Sequence, residues 1–177
     1  MERALVIRRA EPADAEAIAA VHVRSWQAAY PGLMPEAYLD GLTPAMRLPV
    51  WERLLGESSP PRTEVLVAEA DGSVAGFAAL GPGRDDDVDP ASVAEISAIY
   101  LMPEVWGTGV GGRLMAAALD GLATAGYEQA TLWVVDGNAR ARRFYERGGW
   151  RPDGAAQRDE SDGFPLTEVR YRRALRR

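Results

Sequence analysis

Four glycines at 107, 109, 111 and 112, closing the stretch EISAIYLMPEVWGTGVGG (residues 95–112), hold the clearest chemical potential in the sequence. A β-type run leads through Pro103 into this glycine-dense turn, and a helix is expected over residues 113–125. Small side chains let a phosphate oxygen reach backbone N–H groups, and the positive end of a helix dipole adds to them. The spacing predicts an anion site suited to a pyrophosphate. What else the chain can offer is narrow: cysteine is absent and His22 is the only histidine. Disulfides, thiolate metal ligands and cysteine-bound intermediates are excluded. A Ser-His-Asp triad or a multi-histidine zinc site would have one ring to build on. Chemistry must therefore run on carboxylates, tyrosines, backbone amides or a bound cofactor.

The elements that must position this turn read as one mixed α/β domain over residues 1–177. Residues 5–7 form a short strand, and Asp14 is placed to cap an amphipathic helix that stops at Tyr30-Pro31-Gly32. Thr43-Pro44 starts a second helix towards Leu55, with Pro49 expected to kink or delay it. Residues 65–70 and 73–80 around Asp71-Gly72 make a hairpin. After an acidic loop over 81–90 come a strand (93–102), the glycine turn with its helix, a strand (131–135) and a helix (138–147). Two closing strands lie near Trp150 and over 168–174.

A net charge of −6 argues against nucleic-acid binding, and no apolar run is long enough to span a membrane. Residues 1–9 lack the layout of a signal peptide, so a cytoplasmic address is expected. All 20 basic residues are arginine. The C-terminal ones (Arg170, Arg172, Arg173, Arg176, Arg177) alternate with Val169 and Tyr171, as on a strand with a solvated face.

Residues 95–112 together with NARARRFYERGGW (138–150) resemble the GNAT superfamily of N-acetyltransferases, and the element order matches through nearly the whole chain. The resemblance implies a central, mostly antiparallel twisted sheet flanked by helices, with a V-shaped opening between the two central strands. It implies acetyl-CoA as cosubstrate and transfer of an acetyl group to a primary amine, on a small molecule or a peptide N-terminus. The family's pyrophosphate loop begins with arginine or glutamine; here Trp106 holds that position, followed by Gly107, Thr108, Gly109, Val110, Gly111 and Gly112. The strand before it carries a bulge in similar proteins, and its free edge pairs with the pantetheine arm through backbone groups. On this chain those belong to Ile99, Tyr100 and Leu101, which would also pack as core.

Amide formation needs a neutral amine, and a primary amine with pKa near ~10 is mostly protonated at neutral pH. Glu95 is the candidate base, placed by strand alternation on the face of Ser97 and Ile99. Tyr145 matches the family's acid for the leaving thiolate, against a reading as a core tyrosine. Asn138 matches the residue that contacts pantetheine and is equally an ordinary helix N-cap. Trp26 and Tyr30, with Tyr38, fall where similar proteins build the acceptor wall, although core packing explains them as well. His22 reads as a half-buried helix residue, Arg140, Arg142 and Arg143 as solvated helix charges or phosphate neighbours, and Asp85, Asp86, Asp87 and Asp89 as a solvated loop. A homodimer is implied by the resemblance alone.

Two other functions share these features. Gly107, Gly109 and Gly112 spell GxGxxG, the dinucleotide fingerprint of an oxidoreductase, but MPEVW separates strand from glycine and little sequence follows for a substrate domain. A non-catalytic acyl-CoA-binding regulatory module would keep the turn without needing Glu95 or Tyr145.

Overall fold

The computed structural model describes residues 4–175. Met1, Glu2 and Arg3 of the N-terminal stretch, and Arg176 and Arg177 of the basic end, lie outside the described residues. Seven strands make one sheet: β1 (Leu5–Arg9), β2 (Glu64–Ala70), β3 (Ser73–Pro82), β4 (Val93–Leu101), β5 (Gln129–Val135), β6 (Arg151–Asp159) and β7 (Leu166–Ala174). Their order is β1-β2-β3-β4-β5-β7-β6, and only β4 and β5 run parallel. A doubly wound dinucleotide fold, whose sheet is mostly parallel, is thereby excluded.

β4 and β5 are paired for three residues only, from Val93↔Gln129 to Glu95↔Thr131. Beyond Glu95 they splay, which is the expected V-shaped opening. The β2–β3 hairpin turns on Asp71 (φ 52°) and Gly72 (φ 81°), two consecutive left-handed residues that match the twist of the strands.

Helices cover both faces. On one side α4 (Val110–Thr124) buries Val110, Leu114, Met115, Ala118, Leu119 and Leu122, a helical stripe that packs on Leu66, Leu80, Ile96 and Leu132. Full burial of a Leu side chain contributes about 1.5–3 kcal/mol, so Leu114 and Leu122 anchor this layer. On the other side α1 (Ala15–Ala29) and α3 (Pro44–Glu57) close over Val65, Val67, Phe77 and Ala79.

Several local expectations need correction. α4 begins at Val110, not Arg113, because Gly109 already occupies the cap position and its carbonyl accepts from the Arg113 N–H at 3.1 Å. Asp14 makes no side-chain cap for α1; its carboxylate is taken by Arg8 (2.8 Å) and by the Glu11 N–H (2.7 Å). α3 starts at Pro44 and continues through Pro49 to Glu57. A short helix, α2 (Glu36–Gly41), had no sequence signal; buried Leu39 and Leu42 hold the segment against Val23 and Val135. The last helix, α5 (Ala139–Arg147), is capped as expected by Asn138, whose side chain accepts from the Ala141 N–H at 3.1 Å.

Candidate active site

The splay between β4 and β5 opens a cleft of about 1020 Å³, running from the glycine turn past Glu95 and Tyr145 to the α1 wall. Its phosphate end is built by backbone. Gly107 (φ 72°) and Gly109 (φ 90°) adopt left-handed conformations that other residues resist. A Cβ at either position would meet no protein atom within 4 Å, so the room beside them is left open. The amides of Val110, Gly111 and Gly112 form the first turn of α4 and have no partner further back in that helix. Gly107, Gly109, Gly111 and Gly112 line the cleft, whereas Thr108 and Val110 do not. The Thr108 hydroxyl turns back to the Val105 carbonyl, and Val110 is buried in the core. Gly111 also has a packing reason: a Cβ there would come within 2.8 Å of the Leu101 side chain.

β4 carries the expected bulge. Ala79 pairs with Ala98 and Leu80 with Ile96, leaving Ser97 without a partner. The extra residue reverses the alternation along the strand. Ala94 and Ile96 before it, and Ile99 and Leu101 after it, all pack towards α4, while Ala98 and Tyr100 pack towards α1. Glu95 therefore shares its face with Ala98 and Tyr100, and not with Ile99 as simple alternation predicted. Ile99, Tyr100 and Leu101 line the cleft as a group, and the Leu101 carbonyl already accepts from Trp106 Nε1 at 3.0 Å.

Glu95 is 3% exposed and its Oε2 accepts from Arg84 Nε at 2.9 Å and from the same guanidinium's terminal nitrogen. Oε1 has no hydrogen-bond partner among the described residues, and Glu95 lines the cleft. Arg84, from the loop after β3, was not singled out by the sequence; the hairpin register that sets Gly81 opposite Glu95 is the signal that brings it near.

Tyr145 also lines the cleft, buried among Phe144, Trp150 and Tyr171, and its hydroxyl has no hydrogen-bond partner among the described residues. Burial, helped by Tyr100, pushes its pKa well above the usual tyrosine value. Two further phenols converge on it. Burial, then Tyr100 and Tyr145, raise the Tyr30 hydroxyl, which faces the Asn138 side chain; burial likewise raises Tyr100. Asn138 caps α5 through Oδ1, and its side chain borders the cleft beside the Tyr30 hydroxyl. The Tyr100 side chain was missed because the sequence reading used only its backbone.

The α1 wall is aromatic. Trp26 stands edge-on to Tyr30 (5.3 Å between ring centres) and Tyr100 (6.0 Å), with the Arg47 guanidinium 5.2 Å over its ring. Tyr38 lies outside the cleft lining and hydrogen-bonds Arg47 at 2.7 Å. His22 accepts from Trp51 Nε1 through Nδ1 at 3.0 Å, and burial, then Arg47, push its pKa down to about 3. Its ring borders the cleft against Trp26 and Tyr100, and Nε2 has no hydrogen-bond partner among the described residues. The acidic loop is solvated at Asp86, Asp87 and Asp89, yet it is tied down: Asp85 and Asp87 bind Arg170 at 3.0 and 2.7 Å, and Asp85 accepts from Trp133 Nε1 at 3.1 Å. Besides Glu95, the carboxylates that line the cleft come from the β6–β7 hairpin, namely Asp159, Asp162 and Glu168. Burial raises the Glu168 pKa; a hydrogen bond from Gln157 opposes the rise, and Asp159 and Asp162 add to it. No group of acidic, histidine or cysteine side chains among the described residues could hold a metal ion, and no helix is long and apolar enough to cross a membrane.

This geometry agrees with comparisons to known proteins. Residues 19–150 match the model of the acetyltransferase (GNAT) family. An uncharacterized N-acetyltransferase of Archaeoglobus fulgidus is 34% identical over 139 residues, 78% of this chain and 88% of the relative. The uncharacterized N-acetyltransferase YuaI of Bacillus subtilis is 31% identical over 169 residues, 95% of this chain and 89% of the relative. Among solved structures, the PaiA N-acetyltransferase of Thermoplasma acidophilum in complex with coenzyme A superposes with TM-score 0.70 at 22% identity, covering 94% of this chain and 98% of that one. YncA of Salmonella typhimurium, a putative acetyltransferase with acetyl-CoA, gives 0.71 at 21% identity, covering 98% and 95%. With the family model spanning most of the sequence and the bulged, splayed strand pair in place, the chain belongs to the acetyltransferase (GNAT) family.

Proposed function

We propose that the protein is an acetyl-CoA-dependent N-acetyltransferase that acetylates a primary amine by direct attack in a ternary complex. One observation carries this reading: Glu95 on β4 and Tyr145 on α5 line a single cleft, and that cleft begins at the glycine turn. Acetyl-CoA enters as cosubstrate, its diphosphate on the amides of the turn and its arm along the free edge of β4 beyond Glu95. Glu95, through Oε1 directly or through a water, takes the proton that the attacking amine must lose. The new N–C bond forms, the carbonyl electrons move to oxygen beside the β4 backbone near Ile99 and Tyr100, and collapse breaks the C–S bond.

Tyr145 faces the departing sulfur. Its raised pKa makes complete proton transfer to a thiolate of pKa ~8.5 unfavourable, so it acts chiefly by donating a hydrogen bond to the leaving group. No side chain needs to become acylated, consistent with a chain without cysteine. At the acceptor end, Trp26 and Tyr30 supply an aromatic wall, and Asp159, Asp162 and Glu168 give that end a negative field that favours a cationic amine.

The test is release of free thiol from acetyl-CoA across a library of amines and peptides, beside thermal shifts with coenzyme A. Acceptor-dependent thiol release supports the reading. Stabilisation by coenzyme A without turnover on any acceptor favours an acyl-CoA-binding regulatory module instead, and no association with coenzyme A refutes both.

A further inference from the structure

The glycine turn brings no positive side chain of its own. Trp106 stands at its first position, and the only charged residue over 103–112, Glu104, is paired with Arg24. A diphosphate would therefore meet backbone donors alone unless another element supplied a cation. α5 does so. The guanidinium carbon of Arg140 lies 3.5 Å from the centre of the Trp106 ring, and both residues line the cleft with Gly107 and Gly109.

The indole is itself held, since its Nε1 donates to the Leu101 carbonyl at 3.0 Å, at the end of the strand that borders the cleft. Arg140 makes no ion pair or hydrogen bond among the described residues, in contrast to Arg142 one position-pair along, which is engaged by Tyr171 and Asp136. A guanidinium stacked on a ring is attracted to its face and keeps its N–H edge free for two-pronged contact with phosphate oxygens. Arg143 and Arg147 also line the cleft, but among the described residues neither guanidinium is stacked on an aromatic ring.

We infer that Arg140, seated on Trp106, is the cation for the diphosphate of the cosubstrate, so that a tryptophan–arginine pair replaces the single arginine or glutamine expected at the head of the turn. The inference rests on acetyl-CoA being the cosubstrate, and it makes Arg140 a binding residue with no part in the chemical step.

Calorimetric titration of the full chain with coenzyme A and with dephospho-coenzyme A, which keeps the diphosphate and lacks the 3′-phosphate, tests it. Arg140→Gln is expected to weaken both ligands by the same factor, about tenfold or more, and to raise KM for acetyl-CoA without lowering kcat. Trp106→Leu should give a similar loss, and the double variant little beyond either single one, because the two side chains act as a unit. Unliganded melting temperatures serve as the control for folding, with Arg140→Gln, an exposed position, expected to leave them unchanged. Unchanged affinity in Arg140→Gln, or a loss confined to coenzyme A, overturns the diphosphate assignment while leaving the transferase reading intact. A parent protein that binds neither ligand overturns both.

Discussion

Replacing Glu95 by Gln isolates the proposed base, because the amide keeps the side chain's shape. The structure sets the expected size of the effect. Glu95 is 3% exposed and lines the cleft, Arg84 occupies Oε2, and Oε1 has no hydrogen-bond partner among the described residues. The ion pair contributes little to stability because the Arg84 side chain is 73% exposed and screened by water; its loss should change folding by no more than about 1 kcal/mol. Loss of a positioned base, by contrast, should lower kcat/KM by ~10²–10⁴, about 3–5 kcal/mol of barrier. The deficit should also depend on pH. Without the base, the reaction must wait for amine that is already neutral, a fraction that grows tenfold per pH unit up to the amine pKa of ~10. The two enzymes should therefore differ most near pH 6.5 and converge towards pH 10. The assay is steady-state thiol release against pH on the best acceptor, with Arg84→Gln made in both backgrounds. Arg84→Gln should slow the parent enzyme and leave Glu95→Gln nearly unchanged, since Arg84 acts by aiming the carboxylate. Full activity of Glu95→Gln at low pH, or a deficit that is the same at every pH, would refute the role.

Tyr145→Phe should lower kcat by ~10–10² while KM for acetyl-CoA and the melting temperature stay unchanged, because the hydroxyl it removes has no hydrogen-bond partner among the described residues; steady-state kinetics and a thermal melt check this together. His22 links stability to acid. Its folded pKa of about 3 lies below the unfolded value of 6.5, so the unfolded chain binds the extra proton first and stability falls as pH drops from 6.5 towards 3. Between pH 8 and pH 5 this group alone should remove about 2 kcal/mol, and His22→Gln should flatten that part of the profile in denaturant melts at the two pH values. Gly109→Ala should cost about 1 kcal/mol, from its φ of 90°, and weaken coenzyme A binding by crowding the cradle; equal affinity in calorimetry would argue that no phosphate sits there.

Much of the architecture was legible in the residues because its signals are short-range. Asp71-Gly72 can adopt the two left-handed conformations a tight hairpin needs, Asn138 can cap the next turn, and the apolar residues from Leu114 to Leu122 suit a helix face. The glycine spacing likewise marked the turn, since the requirement for small residues with unusual φ is local. α2 was invisible because six residues carry too little periodicity, and the start of α4 was misplaced because glycines read as loop.

What the sequence determined by itself, then, was the order of elements, the anion-suited turn and a chemistry without thiols or paired histidines. Tertiary structure alone decided how side chains from distant segments meet. The unpaired Ser97 turned Glu95 away from the face that alternation assigned to it, hairpin register carried Arg84 to its carboxylate, and α5 laid Arg140 on Trp106. Backbone conformation depends on a few neighbouring residues and can be read from them. Strand register and side-chain stacking depend on how whole layers pack, and no run of adjacent residues contains that information.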